Sequence, residues 1–425
     1  MGTLVMSNLT VGMIGTLDTK GPEFAYLEGE LRRYGLSPLM IDISCRADVP
    51  EVEPAFRCTE VARRAGWAFG DVARLDKRAA GQIMVGGAKR ILEGLYANGA
   101  VDGLIALGGA NGTLMACEIM QAFPIGFPKI MVSVVAACDP RHNVGTTDIV
   151  LINTVTDLCL NQLTKQIFSN ASAALAGMLR QAKPSAKARA KRQVGATMLG
   201  LTQGCVLQTQ AALEAEGAEL LIFHANGIGG SALEDLVLKG MVDLVLDLTT
   251  NEVGNHLLGG VFDAGSQRMQ AAAAAGIPQV VAPGAADFVN FWGSSVPARF
   301  RDRRFIFHNV QNTLMRTTPG ENLRIGRAFA DKLNESQEKV VVLVPLQGFS
   351  GNDQAEGPEA VTLGGKPAGP WHDPEADRAF LQGLKSANPA LVDIWELDAH
   401  INEPAFAQAV LHAYHACVSN SRRME

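Results

Sequence analysis

The sequence predicts an α/β protein of two tandem Rossmann-like domains with mainly parallel sheets, related by an internal duplication and facing one cleft. Three observations predict it. First, one order of motifs occurs twice: Val11-Gly12-Met13-Ile14-Gly15 is answered by Val194-Gly195-Ala196-Thr197-Met198, Val101-Asp102-Gly103-Leu104-Ile105 by Val242-Asp243-Leu244-Val245-Leu246, and Phe127-Pro128-Lys129-Ile130 by Ile277-Pro278-Gln279-Val280. Second, strand-like apolar runs alternate with helix-like runs, the pattern of parallel sheets covered on both faces. Third, 425 residues exceed what one core commonly serves.

The elements follow in order. Val11 to Gly15 reads as a strand, Pro22 to Tyr34 as a helix and Leu36 to Ile43 as a strand. Asp48 to Gln82 has no counterpart in the second half; it reads as an insertion with helical patterning around Thr59 to Ala65, a candidate for subunit contact. A helix over Ala88 to Ala97, a strand over Gly103 to Leu107 and a helix starting near Thr113 follow. The Lys/Ala/Pro-rich run from Lys183 breaks the pattern, which sets a first domain at 1–183, a linker at 184–193 and a second domain at 194–425. The second domain continues through strands at Phe305 to Phe307, Lys339 to Val344 and Val392 to Leu397. A polar Gly/Pro-rich loop runs from Gly348 to Trp371, and a helix from Pro404 to Val418 closes the chain.

Composition narrows the function classes. A net charge of −6 and a pI near 5.8 give no basic footprint for nucleic acid. No apolar run reaches the roughly 20 residues of a membrane helix, and Met1 to Thr10 lacks a signal-peptide pattern. Seven cysteines without a CxxC pair read as reduced thiols of a cytoplasmic protein.

Chemistry is expected where strands end in glycine-rich loops, since open α/β sheets bind ligands at the carboxyl ends of their strands. Gly15-Thr16-Leu17-Asp18-Thr19-Lys20 follows a strand and precedes a helix, so its amides, hydroxyls and Lys20 suit an anion, although it is no Walker A loop and an ordinary βα turn has the same pattern. Gly108-Gly109-Ala110-Asn111-Gly112-Thr113 is the stronger phosphate loop, similar to the GGDGT loops of several kinases and unlike the GxGxxG dinucleotide fingerprint. Gly86 and Gly87 read as a neighbouring helix start. Ser133, Thr146 and Thr147 add hydroxyls, and Asp18 or Asp148 is placed to hold Mg2+ beside phosphate oxygens. In the second domain the loop matching Gly108 to Thr113 has become Asp247-Leu248-Thr249-Thr250-Asn251-Glu252, which suits a polar substrate. His224, Asn226, Asp287 and Asn309 join Thr249 and Thr250 as substrate candidates. Glu252, His308 and Arg316 are the catalytic candidates, with His308 as proton carrier and Arg316 as clamp for a carboxylate or phosphate.

Taken jointly, VGMIGTLDTKGPE, LGGANGT, TTDIVLINTV, HANGIGG, DLTTNEV, IPQVVAPGAADFVNF, NTLMRTTPGEN and ELDAHINEPAF resemble, nearly end to end, a bacterial family related to the N-terminal ATP-binding domain of the tomato tobamovirus-resistance protein, the Tm-one-like ATP-binding domain family. The resemblance implies ATP, Mg2+ and a homodimer. It leads to an ATP-dependent enzyme acting on a small polar, carboxylated metabolite in the interdomain cleft. A non-catalytic nucleotide-binding regulatory module is the alternative, and a nucleotide-sugar transferase a weaker one resting on fold analogy.

Overall fold

The computed structural model describes residues 9–48, 52–181, 191–293, 295–386 and 392–421. The chain divides into two compact units, Met1–Ala186 and Lys187–Glu425. Most of the expected linker at 184–193 lies outside the described residues.

The first unit is built on β1 (Thr10–Gly15), β2 (Ser37–Asp42), β3 (Gly103–Gly108), β4 (Lys129–Ser133) and β5 (Val150–Asn153). All pair in parallel, in the order β2-β1-β3-β4-β5. Strand alternation sends Val11 and Met13 of β1 to one face, with Phe24, Leu27 and Leu31, and Ile14 to the other, with Met84, Leu92 and Met115. Helices Leu17–Arg33 and Gln162–Arg180 supply the first layer, and Lys77–Ala97 and Ala110–Met120 the second.

One expectation is corrected here. Gly86 and Gly87 do not open a helix; they lie inside Lys77–Ala97, whose start is capped by Asp76 accepting from the Arg78 and Ala79 amides. A Cβ on Gly87 would stand 2.0 Å from the Val61 carbonyl oxygen, so this glycine lets helix Cys58–Arg64 pack against it. A packing glycine and a phosphate-loop glycine look alike in sequence.

The second unit repeats the wiring. Its strands are β6 (Gln193–Met198), β7 (Glu219–His224), β8 (Leu244–Thr249), β9 (Gln279–Gly284), β10 (Phe288–Trp292), β11 (Phe305–Phe307), β12 (Asn312–Arg316), β13 (Val340–Pro345), β14 (Glu359–Val361), β15 (Pro367–Pro370) and β16 (Val392–Leu397). The parallel sheet runs β16-β13-β9-β8-β6-β7: second, first, third and fourth strands in the same relative positions as in the first unit, then β13 and β16. A separate sheet, β10-β12-β11-β14-β15, is antiparallel and has no counterpart among the described residues of the first unit. The loop expected from Gly348 to Trp371 therefore contains two short strands.

Candidate functional site

In the first unit, the carboxyl ends of β1 and β3 open into a cavity of about 360 Å³. Thr16, Asp18, Thr19 and Lys20 line it from the loop after β1, and Gly109 to Gly112 from the loop after β3. Cys45, Arg46 and Lys77, which sequence reasoning did not select, complete it. The two loops differ in what their amides do. Leu17 N–H donates to Asp42 Oδ1 (3.2 Å), Asp18 N–H to Ser44 Oγ (3.1 Å), and the Thr19 and Lys20 amides to the Thr16 carbonyl. Helix Ala110–Met120, by contrast, starts at Gly109 with no side-chain cap, and its first-turn amides have no acceptor within the helix. The positive end of this helix thus meets the cavity with its first-turn amides uncapped. Lys20 Nζ donates to the Leu158 carbonyl, and Arg46 Nη1 to those of Ala73 (2.6 Å) and Leu75 (2.9 Å), while Lys77 has no partner among the described residues. Gly15 and Gly108 do not touch the cavity: a Cβ on Gly15 would stand 1.8 Å from the Phe24 ring, and one on Gly108 2.5 Å from the Thr113 nitrogen. Thr113 turns inward, bonding the Gly108 carbonyl (3.2 Å) and Ser133 Oγ (2.6 Å), both buried.

A second cavity, of about 260 Å³, lies at the carboxyl ends of β6 and β7. Leu199 to Leu201 follow β6 and His224 ends β7. Its opposite wall comes from the antiparallel sheet, whose period of two puts Phe288, Asn290 and Trp292 on one face, directly across from Arg316, Leu314 and Asn312. Asn290 is held by Asn251 Nδ2 (3.1 Å) and donates to Asn312 Oδ1 (3.1 Å). Asn309 Oδ1 accepts the Gln311 and Asn312 amides (2.9 and 2.8 Å), fixing the turn that carries His308. The rings of His224 and His308 have no hydrogen-bond partner among the described residues. Among the described residues no lysine, arginine, aspartate or glutamate lines this cavity.

Each unit coincides with a family match. The uncharacterised protein family (UPF0261) N-terminal domain matches residues 9–184, and the C-terminal domain of the same family matches 191–418. The chain belongs to the UPF0261 family. It is 39% identical to a UPF0261 protein of Clostridium tetani over 95% of this chain and 97% of that one, and 35% identical to UPF0261 protein RA0729 of Rhizobium meliloti over 95% and 97%. It is 33% identical to the ToMV resistance protein Tm-1(GCR237) of Solanum lycopersicum over its whole length but only 58% of the tomato protein. Among solved structures, a Streptomyces glycosyltransferase, SsfS6, aligns over 65% of this chain and 82% of its own at 13% identity with a TM-score of 0.16, which carries no argument.

Several polar residues that the sequence nominates in this UPF0261 chain are committed to protein partners instead. Arg316 is buried, donating to Asp353 (3.3 Å), Asp377 (3.0 Å) and the carbonyls of Asp287 and Trp371, so it has no face left for a ligand. Glu252 is also buried: Oε1 accepts the Gly227 and Gly230 amides (2.6 and 3.1 Å) and Oε2 pairs with Arg268 (2.6 Å), which further binds Asp247. Burial dominates its titration and raises its pKa despite Arg268. A glutamate thus fills the anion site of the HANGIGG helix, and Gly230 leaves it room, since a Cβ there would lie 1.9 Å from Glu252 Oε2. Thr249 bonds Thr202 (2.7 Å), Thr250 the Ala282 carbonyl (2.8 Å), Asn226 the Gly229 amide (3.2 Å), and Asp287 both Ser350 and Trp371 (2.9 Å each). In the first unit Asp148 pairs with Lys129 (2.7 Å), the first residue of β4, at the amino end of the parallel strands and so away from the cavity at their carboxyl ends. It is therefore not brought to Asp18, and Thr146 and Thr147 do not line the cavity either. Buried polar networks and ligand sites draw on the same residue types, and only placement separates them.

Proposed function

We propose that this UPF0261 protein is an ATP-dependent enzyme that binds the nucleotide in the first unit and a small polar metabolite in the second. The observation that carries the reading is the convergence of two loops, 90 residues apart in sequence, on one cavity that joins an uncapped helix start to Lys20, Arg46 and Lys77. The phosphates would take the Gly109 to Gly112 amides and Lys77, with Asn111 at the rim. Mg2+ would arrive with them, and among the described lining residues Asp18 supplies a carboxylate to meet it. The metabolite would take the 260 Å³ cavity, where His224 and His308 are the groups able to carry a proton or meet a carboxylate now that Arg316 is excluded.

Isothermal titration of the full chain with ATP, ADP, NAD and UDP-glucose, with and without Mg2+, combined with phosphate-release assays, tests this. ATP binding that strengthens with Mg2+ supports the nucleotide site. Stimulation of phosphate release by a metabolite, lost in His308→Ala with ATP affinity kept, supports the enzyme. No affinity for any nucleotide ends the reading, and ATP binding that no metabolite converts to turnover leaves a nucleotide-binding regulatory module.

A further inference from the structure

A group of metal-ligand side chains lies outside both cavities. β2 ends at Asp42, the chain runs on to Asp48, and Phe56 returns to bridge Ile41 in parallel, which brings Cys58, the first residue of helix Cys58–Arg64, alongside the strand end. One carboxylate oxygen from each aspartate and the Cys58 sulfur lie within 4.8 Å of one another. Asp42 and Cys58 are fully buried, and the Asp48 side chain is 27% exposed. Asp42 is engaged on one side only. Its Oδ1 accepts the Leu17 amide (3.2 Å), the Ser44 amide (2.9 Å) and the Ser44 hydroxyl, whereas the equally buried Oδ2 has no partner. Among the described residues no lysine or arginine pairs with Asp42; Arg57 reaches Asp48 only at 3.4 Å while holding Glu53 at 2.7 Å. A buried carboxylate with a bare oxygen and no cation requires either a proton or a metal ion.

We propose that Asp42, Asp48 and Cys58 form a binding site for a thiophilic divalent cation, zinc above all. A thiolate beside two carboxylates selects zinc over magnesium and calcium, which take oxygen ligands. Three protein ligands leave one of zinc's four positions to water. On binding, the Cys58 S–H bond breaks, its electron pair forms the sulfur–metal bond and the proton leaves to solvent. The ion would fix Asp42, whose other oxygen holds the start of helix Leu17–Arg33 and so the Thr16 to Lys20 wall of the cavity. The site does not depend on what that cavity binds.

The test is titration of the chelator-treated full chain with Co2+, read by its thiolate-to-cobalt charge-transfer absorption, followed by displacement with Zn2+. The expected result is one Co2+ per chain with that band, no band in Cys58→Ser, affinity at least about tenfold weaker in Asp48→Asn, and a melting temperature raised by Zn2+. A wild-type chain without the band overturns the proposal and leaves Asp42 protonated. A band that persists in Cys58→Ser, from the other six cysteines, overturns it too. Should Cys58→Ser not fold, Asp48→Asn at its partly exposed position decides: unchanged cobalt affinity there also overturns it.

Discussion

At the scale of single residues, burial separates scaffold from site. Among the described residues Asp353 and Asp377 pair with Arg316 and, at Asp353, with His372, and truncating one partner of a buried ion network leaves uncompensated charge. Arg316→Met should therefore lower the unfolding free energy by about 3–5 kcal/mol in chemical denaturation. A loss of activity with stability changed by less than about 1 kcal/mol would return Arg316 to the ligand, against its buried geometry. The same network predicts a pH effect. Burial and the neighbouring Asp353 push the Asp287 carboxyl from its usual 3.8 up to about 6. The folded chain thus holds this proton more tightly than the unfolded one, so the stability it contributes is fully present below about pH 4 and lost as pH rises through about 6. Asp287→Asn keeps an oxygen for Ser350 and Trp371 and removes the titration. Its melting temperature relative to the parent should rise across pH 4 to 6 and level off above; a pH-independent difference would show that Asp287 titrates normally. Sequence patterning marked Arg316, Glu252 and Asp287 as chemistry because charged residues at strand ends usually are. It held no sign that Arg268, Asp353 and Asp377, distant along the chain, would enclose them.

At the scale of elements, long apolar strands were legible and short polar ones were not. β3, β8, β9 and β13 are buried along their whole length and stand out as apolar runs, and β16 spans the residues read from sequence. β11 was read at its observed bounds, but β14 and β15 have three and four residues, too few for a period to register, so the antiparallel sheet that walls the second cavity was missed together with the roles of Asn290, Trp292 and Asn312. The Gly109 helix start was legible because paired glycines directly after an apolar run mark a strand-to-helix turn. Its two glycines nonetheless differ. A Cβ on Gly108 would meet the Thr113 nitrogen at 2.5 Å and the Gly112 carbonyl carbon at 2.7 Å, whereas one on Gly109 meets nothing within 4 Å. Gly108→Ala should therefore destabilise the first unit by about 1–3 kcal/mol. Gly109→Val, at φ −69°, should keep stability within about 1 kcal/mol yet shield the helix start and weaken ATP binding at least about tenfold. Thermal melts and titration calorimetry of both variants separate the effects, and full ATP affinity in folded Gly109→Val would remove the phosphates from this loop.

At the scale of the whole molecule, one strand order serves both halves while the chemistry of the two has diverged. In the first unit the third strand leads to an open helix start beside cationic side chains; in the second, the corresponding helix, Asn251–Leu258, begins with Asn251 to Asn255 buried, and a glutamate from it closes the neighbouring HANGIGG turn. The second unit carries an antiparallel sheet whose residues line a cavity of different character. Every described residue lining the first cavity belongs to Met1–Ala186, and that unit has its own apolar cores on both faces of its sheet. At this length a chain buries roughly 70% of the surface it exposes unfolded, enough for independent folding. The fragment 1–186 should therefore fold cooperatively and bind ATP within about threefold of the full chain, a difference of about 0.6 kcal/mol. If the fragment folds but its affinity falls a hundredfold, groups from beyond residue 186 must complete the nucleotide site, and the assignment of binding to the first unit alone fails.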